Sequence, residues 1–271
     1  MYSPTRTTTS LAALAAVAAI GCGSKKDLKG PEQDPVPFFQ RGAEFLRNGQ
    51  PDRAAREFER SLSIDPDIPV VRNYLGLAYF GLGEFERARE QYERVLADDP
   101  YFTEAHNNMG VVLGVLGETD VALRHFQVVL ADPRYEKKEV AQFNIGRLLL
   151  DADRPREALI HLEAALGKSP ERHDWRFRYS LALNELARHE DAIEELKAVL
   201  AARPDFIDAV LELGLTYYKL GEHEAANGYF RRVIRAVPGT DAARRAQFYL
   251  RPAADRSGDE IGAGPGRSGA R

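Results

Sequence analysis

Small, apolar and bulky residues recur along this chain at a long fixed interval. Ala54, Ala88, Ala122, Ala158, Ala192 and Ala226 are spaced by 34, 34, 36, 34 and 34 positions. Twelve residues before each alanine stands a small residue: Gly42, Gly76, Gly110, Gly146, Ser180 and Gly214. Four after each comes a bulky one: Phe58, Tyr92, Phe126, Leu162, Leu196 and Phe230. Seven after each lies Ser61, Val95, Val129, Ala165, Val199 or Val233, and prolines at 66, 100, 133, 170, 204 and 238 close the units. A period of this size predicts stacked copies of one supersecondary unit. Here the unit is a pair of antiparallel helices with a turn often carrying glycine, as at Gly49, Gly83, Gly117 and Gly221. The small residue and the alanine let the two helices approach. Phe45, Tyr79 and Tyr217 are expected to fill the gap between neighbouring units, and each proline stops the second helix. The pattern predicts one stack over residues 37–250, with repeats at about 35–68, 69–102, 103–138, 139–172, 173–206 and 207–240. A last helix, Asp241 to Leu250, caps it through Ala242, Ala243, Phe248 and Leu250. Each unit leans on its neighbours for stability. The 36-residue interval lengthens the loop within residues 131–140. Such a loop either alters the local superhelical angle or is a tolerated insertion.

The pattern resembles the tetratricopeptide repeat over about residues 35–240. The resemblance implies an all-α, right-handed superhelical solenoid of six helix pairs and a cap, with the first helices lining a concave groove. The family's groove positions are 2, 5, 9 and 12. Position 5 holds Phe39, Asn73, Asn107, Phe143, Phe177 and Leu211, and position 9 holds Ala43, Leu77, Val111, Arg147, Leu181 and Leu215. Position 12 holds Leu46, Phe80, Gly114, Leu150, Asn184 and Tyr218; position 2 is mixed, from Val36, Val70 and Val140 to Glu104, Asp174 and Asp208. A helix apolar on most sides is either buried or exposes a binding face. The candidate groove is therefore Phe39, Asn73, Leu77, Phe80, Asn107, Asn108, Val111, Phe143, Asn144, Arg147, Leu150, Phe177, Leu181, Leu211, Leu215 and Tyr218. Its asparagines can offer a donor and an acceptor to a peptide backbone, or can bond within the stack. The C-terminal helix and packing between units can also cover the apolar positions. Some relatives clamp a C-terminal carboxylate with Lys and Asn at positions 5 and 9. No lysine stands at either here, so a carboxylate terminus is not the expected ligand.

The first residues carry an address. Arg6 is the only charge before Lys25, and an apolar block runs from Leu11 to Ile20. Ten helical residues reach about 15 Å, half the hydrocarbon thickness, which suits a secretory signal over residues 1–21. The block ends Ala19-Ile20-Gly21-Cys22, which resembles a bacterial lipobox with alanine where leucine is usual. The resemblance implies acylation of Cys22, the chain's one cysteine; the alternative is an ordinary signal that happens to contain a cysteine. A single acyl chain holds a protein only reversibly, whereas several hold it stably. Gly23 follows the cysteine, which favours the periplasmic face of the outer membrane if the cell is Gram-negative. Residues 22–36 then read as a linker and 251–271 as a disordered tail, both rich in Gly, Pro and charge.

Composition narrows the functional classes. Of 271 residues, 44% are apolar and 29% charged, with a net charge of -4, which argues against a general nucleic-acid binder. One cysteine excludes an intrachain disulfide framework. None of the six histidines lies in a metal-ligand spacing, and no glycine-rich phosphate loop exists. The reading is a protein-binding scaffold rather than an enzyme, with no cofactor, no metal, no small-molecule substrate and no nucleic acid.

The run TEAHNNMGVVL (103–113), the longer loop after ADPRY (131–135) and Asn144-Ile145-Gly146 add a narrower likeness. Together with the lipobox and the repeat number they resemble the type IV pilus biogenesis and stability lipoproteins of the PilF, PilW and Tgl kind. The resemblance implies a pilotin: a lipid-anchored protein that helps a secretin subunit reach the outer membrane and multimerise there. The alternative is a periplasmic scaffold for envelope enzymes, outer-membrane assembly or polysaccharide export.

Overall fold

The computed structural model of the protein describes residues 34–250. The signal, Cys22, most of the linker and the tail lie outside the described residues. Among the described residues the secondary structure is helical throughout. The helices are α1 Val36–Arg47, α2 Pro51–Ile64, α3 Pro69–Gly81, α4 Phe85–Asp98, α5 Thr103–Val115, α6 Thr119–Ala131, α7 Lys138–Asp151, α8 Pro155–Lys168, α9 His173–Glu185, α10 His189–Ala202, α11 Ile207–Lys219, α12 His223–Ala236 and α13 Asp241–Leu250. They form two compact units, parted at Tyr135 and Glu136. In the first unit the pairs are α1 with α2, α3 with α4 and α5 with α6; α2 also packs on α3, and α4 on α5. In the second the pairs are α7 with α8, α9 with α10 and α11 with α12; α13 packs on α12.

Local chemistry sets the helix ends. Pro51, Pro69 and Pro155 open α2, α3 and α8, where a fixed φ helps and the missing N–H costs nothing. Acidic residues sit in the first turn of most helices, against the positive end of the dipole. The turn inside each pair needs one residue at positive φ. Gly49, Gly83, Gly117 and Gly221 supply it, but Asp153 and Ala187 hold the place in the fourth and fifth repeats, at φ 61° and 58°. An alanine there is strained by about 1 kcal/mol. Ala187→Gly is expected to raise the melting temperature slightly, checked by thermal denaturation; a lower melting temperature refutes the strain.

The recurring small residue has a specific partner. An added Cβ at Gly42 would lie 2.5 Å from the Phe58 ring, at Gly76 2.6 Å from Tyr92, and at Gly110 2.8 Å from Phe126. At Gly146 it would meet Leu162 at 2.6 Å, and at Gly214 it would meet Phe230 at 2.9 Å. In these five repeats the bulky residue of the second helix thus fills the hollow left by the glycine of the first. Sequence spacing predicted close helix approach, and the structure shows that the bulky partner seals it. The aromatic residues expected between units divide. Tyr79 donates to Glu59 of the preceding repeat at 2.6 Å, whereas Tyr217 stacks on Tyr229 of its own repeat at 5.6 Å.

Tyr92 breaks the chemistry of its series. Its ring is fully buried and its hydroxyl finds no partner, where the equivalent positions hold Phe or Leu. An unpaired buried hydroxyl costs about 1–3 kcal/mol. Tyr92→Phe is expected to raise the stability by about 1 kcal/mol, read from chemical denaturation; a loss of stability refutes the unpaired assignment.

The longer loop is pinned at its start. Asp132 accepts from the Thr103 hydroxyl at 2.6 Å and from the Arg134 side chain and backbone at 3.1 and 2.9 Å. Arg134, then Thr103, hold the Asp132 carboxyl well below the usual carboxylate range.

Candidate protein-binding surface

The candidate groove residues do not all reach a surface. In the first unit, Phe39 is 2% exposed and packs between Phe58 at 5.9 Å and Tyr74 at 5.2 Å. It belongs to the core of the first repeat and cannot line a groove. Asn73, 4% exposed, is also interior. Its Oδ1 accepts from Asn108 Nδ2 at 3.0 Å, and Asn108 Oδ1 faces Asn107 Nδ2 at 3.4 Å. The amides therefore cross-link α5 to α3, the intra-stack alternative of the sequence reading. Phe80 leans on Phe85 at 5.5 Å. Leu77 and Val111, both at position 9, remain half-buried with no aromatic or polar lock.

In the second unit Leu211 and Leu215 are core residues, 4% and 7% exposed. Their cluster includes Leu196, Leu213, Phe230 and Ala246, so the last repeat offers no groove at these two places. Tyr218 meets Tyr249 of α13 at 5.1 Å and His223 at 5.0 Å. The protein's own last helix thus covers part of the position-12 row. Phe143 stacks on the buried Trp175 at 4.8 Å and 10°, and Phe177 packs on Phe206 at 5.0 Å. Both have an interior face and an outer one. Leu150, Leu181, Asn144 and Arg147 are half-buried. Of the half-buried apolar candidates, Leu77 and Val111 on the first unit and Leu150 and Leu181 on the second are those outside the aromatic pairs.

Two polar clusters escaped the sequence reading. Asn184, at position 12, is 4% exposed. It donates to Thr216 Oγ1 at 2.8 Å and Glu212 Oε1 at 3.0 Å, and takes a bond from His189 Nδ1 at 3.1 Å. Burial pushes the Glu212 carboxyl up. The other cluster is a histidine pair. His106 Nδ1 and His125 Nδ1 stand 2.8 Å apart, and His106 Nε2 lies 2.9 Å from the Pro100 carbonyl. The carbonyl only accepts, so His106 Nε2 carries a proton. With His106 neutral, its Nδ1 is the acceptor and His125 Nδ1 donates. The two residues are nineteen apart in sequence, one on each helix of a pair, a spacing outside every local motif.

Burial lowers the His125 pKa to about 4, with His106 and Arg124 adding repulsion, and burial lowers His161 as well. In an unfolded chain both titrate near 6.5. As pH falls from about 6.5 towards 4, the unfolded chain takes up protons that the folded one refuses, so stability is lost on acidification. Glu212 acts oppositely, since its raised pKa makes its contribution fade as pH rises. The melting temperature is expected to fall between pH 6.5 and 4, and His125→Gln to flatten that slope. An unchanged slope in the variant would remove His125 as its source.

The tetratricopeptide repeat profile matches residues 39–101, 75–136, 143–206 and 185–241, more than half of the chain. The chain belongs to the tetratricopeptide repeat family. No curated protein matches it. Among solved structures, this tetratricopeptide repeat protein resembles Pseudomonas aeruginosa PilF, with TM-score 0.68, 19% identity, and 81% of this chain and 99% of that one covered. It also resembles PilW, described as a widely conserved type IV pilus biogenesis factor, with TM-score 0.73, 21% identity and coverage of 79% and 98%. A third likeness is to YrrB, a tetratricopeptide repeat protein with an unusual peptide-binding site, at TM-score 0.56, 22% identity and coverage of 71% and 98%. At these identities the likeness is one of fold. The tetratricopeptide repeat is a protein-binding fold.

Proposed function

We propose that the protein is a lipid-anchored factor of type IV pilus biogenesis that acts as a pilotin. The observation that carries this reading is the likeness in fold to PilF and PilW, which covers 81% and 79% of this chain and nearly the whole of those two. The lipobox-like Ala19-Ile20-Gly21-Cys22 supports it, as do the half-buried Leu77 and Val111 on neighbouring first helices. Acylation at Cys22 would hold the repeats at the periplasmic face of the outer membrane and raise their local concentration there. A secretin monomer carries amphipathic segments destined for the bilayer. An apolar strip on the repeats shields such a segment until pairing between subunits displaces it.

The test has two arms. Mass spectrometry of the protein from its native host is expected to find Cys22 acylated. Deletion of the gene is expected to remove heat-resistant secretin multimers from outer membranes. Normal multimers in the deletion strain would eliminate the pilotin reading and favour the scaffold for envelope enzymes, outer-membrane assembly or polysaccharide export.

A further inference from the structure

The histidine pair of the third repeat has features of a metal-ligand set. His106 spends its Nε2 proton on the Pro100 carbonyl at 2.9 Å. That bond fixes the tautomer in which Nδ1 offers a lone pair, the usual outer-shell support of a ligating histidine. His125 brings its own Nδ1 to within 2.8 Å of that lone pair. The ring centroids lie 5.1 Å apart with a 41° tilt, so the two nitrogens approach end to end. The rings sit on α5 and α6, two helices locked together by Gly110 against Phe126, which holds the nitrogens on a rigid frame.

We propose that His106 and His125 chelate one late transition-metal ion, copper(II) most tightly, between α5 and α6. Metal–imidazole bonds are about 2.0–2.1 Å long. With the nitrogens end to end, an ion on the line between them lies trans to both and needs them about 4.1 Å apart, so the two half-buried side chains turn away from the hydrogen-bonded distance to admit it. To ligate through Nδ1, His125 moves its proton from Nδ1 to Nε2 through solvent, with no net release from the neutral pair. Water completes the coordination, since no group of three or more His, Cys, Asp or Glu is placed around a metal among the described residues. Two neutral imidazoles without a carboxylate or thiolate favour nitrogen-seeking ions and give magnesium and calcium no purchase.

Full-length protein in detergent is titrated with copper(II), nickel(II), zinc(II) and magnesium against a competing chelator. The expected result is one equivalent of copper(II), weaker nickel and zinc, no magnesium, and nitrogen hyperfine structure from two imidazoles in the copper spectrum. His106→Gln and His125→Gln should each weaken copper binding by at least about tenfold, while His223→Gln leaves it unchanged. Binding no tighter than millimolar, or equal in the wild type and both variants, overturns the proposal. If a variant loses its helical circular dichroism, the wild-type spectrum decides: fewer than two coordinated imidazoles also overturns it.

Discussion

Gly146→Val is expected to destabilise the fourth repeat by about 3 kcal/mol or more. A Cβ at this position would lie 2.6 Å from Leu162 Cγ and 3.1 Å from the Ala158 backbone carbonyl. The leucine can rotate away only into a packed interior, and the carbonyl cannot move without moving α8. A branched side chain also lacks the freedom to choose a rotamer that avoids both. The contrasting substitution is Gly228→Ala. Gly228 is helical too, but a Cβ there meets nothing within 4 Å. Replacing a helical glycine in open space should stabilise by about 0.5–1 kcal/mol. Chemical denaturation of the two variants reads both signs, and a Gly146→Val protein as stable as the wild type sinks the ring-and-hollow account of the repeats. Ala122→Trp is expected to fail in the same way, since Ala122 is fully buried on α6.

The second large effect concerns binding. Leu77→Arg combined with Val111→Arg places two charges on neighbouring first helices, α3 and α5, at positions that are half-buried. An amphipathic segment docked there would have to desolvate two guanidinium groups without a partner, at several kcal/mol. Co-purification of the secretin subunit should fall to background while the melting curve stays near that of the wild type. Undiminished co-purification would remove this strip from the binding surface. Phe143 and Phe177 are poorer targets than their sequence positions imply. Phe143 stacks on Trp175 and Phe177 packs on Phe206, so a charge at either confounds binding with folding.

The fold was legible because its period is written in residues with little choice. A glycine that admits a ring, an alanine that admits a helix and a proline that stops one each leave a mark in the text. The candidate surface was less legible, because apolar residues look alike whether they face solvent, a neighbouring helix or the core. Phe39 and Leu77 occupy groove positions of successive repeats, yet Phe39 turns inward beside Tyr74, a contact between repeats that no spacing announces. Leu211 and Leu215 are covered for a similar reason, since α13 closes the last repeat. The amides of Asn73 and Asn108 were ambiguous between partner and stack, and only the 3.0 Å bond between them shows one of them occupied by the other. His106 and His125 were invisible as a pair, because nineteen residues and a turn separate them.

The glycine hollows have an evolutionary corollary. Each is filled from within its own repeat, by a residue sixteen positions later, as Gly42 is by Phe58 and Gly214 by Phe230. Duplicating or deleting one whole period therefore carries every such couple along intact. A recombination point inside a repeat would instead mate one lineage's cavity with another lineage's plug. Descendants of this gene should thus vary in length by whole periods, with crossovers surviving chiefly at the prolines that separate the copies.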